Sequence, residues 1–188
     1  MAIENPHLIW IDCEMTGLSL ENDALVEIAV QVTDSELNPI GDGIDILIAT
    51  TPEKLAGMNE FVTNMHSESG LLPLISSGTT LADAEAKVIA HLESVGVESG
   101  KSPLAGNSIA TDRNFIARDM PLLDAFLHYR IIDVSSIKEL ARRWYASAYF
   151  NAPKKTGNHR AMGDVKDSIE ELKYYRSVIF ASKSSPEK

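Results

Sequence analysis

The sequence predicts an α/β fold, a mixed five-stranded sheet with helices packed on it. Three strand-like runs come early, the second and third joined by a polar turn, and after them helices alternate with two further short strands. The chain has 188 residues, 44% of them hydrophobic, and lacks any long polar tract, which suits one domain able to bury its own core. That domain is expected over residues 1–181, with "SKSSPEK", residues 182–188, as a frayed tail.

The first strand falls near residues 7–14, inside "LIWIDCEMTGL". A second runs from Leu25 to Thr33 and a third over residues 43–49, and the polar turn "DSELNPIGD" makes those two an antiparallel hairpin. In "TLADAEAKVIAHLESVG", Leu81, Val88, Leu92 and Val95 share one helical face; Thr80 with Asp83 forms a capping pair, and Gly96 gives a stop signal. "PLAG" is a short strand leading into "NSIATDRNFIARDM", and "RIIDV" is another before the amphipathic helix "SSIKELARRWYA". A loop containing "NAPKKTGN" follows, then a last helix from about residue 160 to 181.

Charge narrows the function classes. Twenty-seven acidic residues against 17 Lys plus Arg give a formal net charge of −10, whereas binders of long nucleic acid usually present a basic face. Arg130, Lys138, Arg142, Arg143, Lys154 and Lys155 supply local positive charge, although short basic runs are commonly solvated surface. No basic start precedes an apolar segment, and no run of about 18 apolar residues occurs, so the expectation is a soluble protein with no membrane partner. The single cysteine, Cys13, cannot close an internal disulfide and suits a reducing compartment, by default the cytoplasm.

The chemistry begins with two acids in the first strand. Side chains at i and i+2 share a strand face, so Asp12 and Glu14 form a carboxylate pair on one side while Ile11 and Cys13 take the other. Two desolvated carboxylates repel, so they are protonated, reach water, or hold a cation. Asp112 follows "PLAGN", where a helix cap is its structural alternative. Asp164 lies early in the last helix, where it would complement the helix dipole. His159 precedes it by five residues in "HRAMGD", a spacing that in continuous helix points the two about 140° apart, so the histidine is expected on the preceding loop. Four acids at strand and helix ends plus one titratable histidine are the parts of a two-metal phosphodiesterase.

The segments "IDCEMTGL", "GNSIATDRNF" and "HRAMGD" resemble the three motifs of the DEDDh branch of the ribonuclease H-like 3′-to-5′ exonucleases. Within that branch, "GKSPLAGNSIATDR", "HYRIIDVSSIKELARRW" and "ELKYYR" look like the oligoribonucleases, which degrade very short RNAs. The resemblance covers nearly the whole chain and implies a ribonuclease H-like fold. It further implies that Asp12, Glu14, Asp112 and Asp164 bind two divalent cations, Mg or Mn, with Asp12 bridging them, and that His159 is the general base. By the same resemblance Leu18 wedges against a base, Phe61 and His66 help hold the terminal nucleotides, and Ser108, Arg130 and Ser135 cap a 5′-phosphate. His128 and Tyr129 would reach into the site of the other subunit of a homodimer. Phe61 stands where the family has tryptophan, a smaller stacking face; core packing is the structural alternative for Leu18 and Phe61.

A short substrate also accounts for the acidic composition, because pinched ends do not require a broad basic groove. Two rivals stand beside this expectation. One is a DEDDh exonuclease trimming longer DNA or RNA; the other is a nuclease-like module that binds nucleic acid without cutting.

Overall fold

The computed structural model describes residues 7–154 and 160–180. His159 and the expected tail at 182–188 lie outside the described residues. In chain order the elements are β1 (Leu8–Met15), β2 (Leu25–Thr33), β3 (Pro39–Leu47), α1 (Pro52–Ala56), α2 (Glu60–Glu68), a 3-10 turn at Leu72–Ser77 and α3 (Leu81–Ser94). There follow β4 (Pro103–Gly106), α4 (Ala110–Asp119), α5 (Pro121–Phe126), β5 (His128–Asp133), α6 (Val134–Trp144), α7 (Ala146–Phe150) and α8 (Ala161–Val178). The five strands form one sheet in the order β3-β2-β1-β4-β5. β1 pairs antiparallel with β2 and parallel with β4, and β4 pairs parallel with β5, so the sheet is mixed as expected.

Side-chain alternation in β1 splits the core. Ile9, Ile11 and Cys13 face one layer with Val88, Leu92, Phe115 and Leu123, while Trp10 faces the other with Val165, Ile169, Leu172 and Tyr175 of α8. Trp10 is wholly buried, and its indole N–H donates to Thr33 Oγ1 at 2.9 Å. Every residue of β2 is buried, the mark of a strand covered on both faces.

The last helix ends at Val178, short of the expected 181, and β5 begins at His128, ahead of Arg130; two further differences bear on the site. β3 starts at Pro39 and ends at Leu47, because the chain already reverses over residues 34–38. There the Asp34 carboxylate accepts from the N–H groups of Glu36 and Asn38, both at 2.8 Å, and Leu37 takes a left-handed φ of 69°. Pro39 is tolerated because it opens an edge strand. α4 begins at Ala110, so Asp112 lies inside its first turn and does not cap a helix starting at Arg113. Among the described residues, no helix is long and apolar enough to cross a membrane.

Candidate active site

The C-terminal end of β1 carries Asp12 and Glu14 on the face that α8 crosses, and Asp164 enters from the first turn of α8. One carboxylate oxygen from each of Asp12, Glu14 and Asp164 lies within 4.8 Å of the other two. The pairing of β1 with β2 changes register just there: Glu14 faces Glu27, Met15 faces Leu25, and Val26 is the extra residue. Such bulges bend a strand end and re-aim its side chains.

Crowding acids at a buried strand end raises their proton affinity. Burial pushes the Glu14 carboxyl up to about 8, the charges of Asp164, Glu27 and Asp112 add to it, and the Arg160 guanidinium pulls the other way. Asp112 is not one of the tight three; its Oδ1 accepts from the Cys13 N–H at 2.9 Å, on the same strand. Burial lifts it to about 7, against that hydrogen bond. Cys13 itself packs in the opposite core layer, and burial pushes its thiol well up, so it is no ligand for this site. An all-carboxylate donor set with such mutual repulsion fits a hard divalent cation.

The other expected residues fall into three groups. Leu18 and Phe61 are both 75% exposed, so neither is core packing. The loop behind Leu18 is held from two sides. The Asp23 carboxylate accepts from the Ser19 N–H at 2.8 Å and the Thr16 hydroxyl at 3.0 Å, while Arg118 of α4 donates to the carbonyls of Leu20 and Asp23. His66 of α2, by contrast, is wholly buried: its Nε2 donates to the Met15 carbonyl at 2.8 Å and its Nδ1 stands 3.9 Å from Glu14 Oε2.

Ser108 and Ser135 meet. Ser108 holds a left-handed φ of 53°, and its N–H lies 3.0 Å from both Asp133 Oδ1 and Ser135 Oγ. The Ser135 hydroxyl donates to Asn107 Oδ1 at 3.0 Å, and Asn107 in turn donates to Ser168 and Glu171 of α8. Arg130 lies on the outer strand β5 with its guanidinium 5.2 Å over the Tyr129 ring, and the His128 ring is 4.4 Å from that same ring.

The exonuclease family model matches residues 9–172 of this chain. The oligoribonuclease of Streptomyces avermitilis is 58% identical over 183 residues, which is 97% of this chain and 92% of that one. That of Cutibacterium acnes is 52% identical over 180 residues, 96% of this chain and 89% of its own. This chain belongs to the oligoribonuclease family. Among solved structures, exonuclease I of E. coli in complex with single-stranded DNA superposes with a TM-score of 0.69 at 17% identity. It covers 93% of this chain, yet this chain spans only 40% of exonuclease I, and the likeness is one of fold.

Two features of this chain escaped the sequence reading. Glu27, wholly buried in β2, receives Arg160 and the start of α8; the signal was a lone acid inside the apolar run "LVEIAVQV". Asn107, the hub of the serine pair, gave no local signal. Half of the basic run is also spoken for, since Lys138 pairs with Glu171, and Arg142 and Arg143 both pair with Glu139; Lys155 lies outside the described residues.

Proposed function

We propose that this chain is a 3′-to-5′ exoribonuclease that hydrolyses very short RNAs, down to dinucleotides, to 5′-mononucleotides. The observation that carries the reading is the triangle of Asp12, Glu14 and Asp164 at the end of β1, in a chain 58% identical to an oligoribonuclease over nearly its full length. Asp12, Glu14, Asp112 and Asp164 would hold two divalent cations, Mg or Mn. When bound, these neutralise charge on the scissile phosphate and make ionised water accessible at neutral pH. His159, whose ordinary pKa is about 6.5, takes the proton from the attacking water.

Leu18 and Phe61 offer exposed apolar faces to the bases, and the hydroxyls of Ser108 and Ser135, with Arg130, receive the 5′-phosphate. His66 acts from beneath, holding the Met15 carbonyl beside Glu14. A second copy of the chain covers the outer face of β5 and α6, where Tyr129 is 73% exposed and Ile131, Leu140 and Trp144 also face outward. His128 and Tyr129 then contribute to the partner's site. The lone buried thiol of Cys13 supports a cytoplasmic setting.

The test is a series of 5′-labelled RNAs from two to about ten nucleotides, assayed with Mg and with Mn. We expect kcat/KM to fall with length, because each added phosphate meets an acidic surface without a new grip. Removing the 5′-phosphate should hurt the dinucleotide most, and Arg130→Ala should flatten the length preference. Equal cleavage of long RNA, indifferent to the 5′-phosphate, would identify a general exonuclease instead.

A further inference from the structure

Glu27 has no place among the four carboxylates of the exonuclease motifs, yet it is the wholly buried acid directly opposite Glu14 in the sheet. Its Oε1 accepts from Arg160 Nη2 at 2.5 Å and Nε at 2.9 Å, and its Oε2 accepts from the Ala161 N–H at 3.0 Å. α8 has no capping side chain of its own at Arg160, so an acid from a strand 134 residues away satisfies the first N–H of the helix. An ion pair whose acid is wholly buried and whose guanidinium is partly so is a costly way to fill space, and an apolar pair of the same volume would pack at least as well. What the pair provides is geometry. The forked guanidinium and the main-chain N–H fix both the position and the rotation of the first turn of α8 against β2. Asp164 stands three residues further on, about one helical turn, with a carboxylate oxygen within 4.8 Å of one from each of Asp12 and Glu14 on β1.

We propose that Glu27, through Arg160 and the Ala161 N–H, is a positioning residue that docks the N-terminus of α8 on the sheet and so sets Asp164 against Asp12 and Glu14. This rests on the reading that those three carboxylates hold a divalent cation. Glu27 touches neither cation nor substrate; it acts by fixing where a ligand-bearing helix begins.

The test uses calorimetric titration with Mn2+ and amide hydrogen exchange on the full chain, comparing wild type, Glu27→Gln and Arg160→Lys. Glu27→Gln should raise the Kd for Mn2+ about tenfold or more, the usual consequence of losing a group that orients a ligand. In the metal-free protein it should speed exchange in the first turn of α8 while residues 169–175 stay protected. Arg160→Lys keeps the charge but loses the fork, so it should show the same changes in smaller degree; if Glu27→Gln does not fold, it carries the test alone. A lowered Tm with unchanged Mn2+ affinity and uniform exchange along α8 makes Glu27 an ordinary structural pair and overturns the proposal. Should wild type itself bind no Mn2+, the cation reading fails, and faster exchange confined to the first turn would still support the docking role. If wild type binds and both variants bind equally well, the docking role alone fails.

Discussion

Glu14 is buried among other acids, which makes its charge unfavourable, and that has a measurable sign. Its carboxyl rises from an ordinary value of 4.5 to about 8 on folding, and that of Asp112 from 3.8 to about 7. Between those values the folded state holds protons that the unfolded state has released, so the stabilisation present below pH 4 is lost as pH rises toward 8. In chelator, Tm should therefore fall from about pH 5 to pH 8, and the stabilisation by Mg or Mn should grow over the same window. Glu14→Gln should flatten the profile; a Tm that climbs across that window would contradict the assignment. At this scale the sequence was legible where the pattern is local. Asp12 and Glu14 interrupt an apolar strand at i and i+2, which needs no tertiary knowledge. The burial of His66 and the role of Glu27 depend on partners 51 and 133 residues away, and no local window contains them.

At the scale of elements, the junction from β4 to α4 sets Asp112. Gly106 ends β4 with its Cα pressed on β1: an added Cβ would stand 2.8 Å from Ile109 Cδ1 and 2.9 Å from the Ile11 carbonyl oxygen. The isoleucine methyl can turn aside, but the carbonyl belongs to the centre of the sheet. Gly106→Ala should destabilise the protein by about 1–3 kcal/mol, the usual cost of overpacking. It should also weaken Mn binding, since Asp112 is aimed from the helix that follows. Urea denaturation and metal titration on the same sample would separate these effects, and unchanged stability would show that the strands part more easily than their pairing implies. Strand β2 and helix α3 were legible in full because their patterns are long and unbroken. β3 was not, because Pro39 and Gly41 read as turn residues although the turn had already closed at Asn38.

For the whole molecule, a mixed sheet was legible from a hairpin followed by helices alternating with strands, whereas the order β3-β2-β1-β4-β5 was not, since it places β1 beside β4 across the 87 residues that lie between Met15 and Pro103, a pairing no local pattern encodes. Assembly gives the sharpest test at this scale. If the proposed dimer forms, Tyr129→Ala should lower its activity and leave the assembly intact, since stacking of an aromatic on a base is worth about 1–3 kcal/mol. Mixed with Asp12→Asn, which is expected to be inactive, it should regain activity: the Asp12→Asn subunit lends an intact Tyr129 to the neighbour that keeps its acids. Subunit exchange verified by mass, with no recovery of turnover, would place Tyr129 in service of its own chain.

The brace of Arg118 and Asp23 behind Leu18 has one more consequence. An apolar side chain standing in water is usually carried on a loop that must quieten when something lands on it, and that ordering is charged against affinity. Here the backbone freedom is surrendered once, during folding, and every later encounter meets Leu18 already in place. A surface so prepared can hold a ligand of very few contacts, where a pliant loop would need a longer one to offset its own disorder.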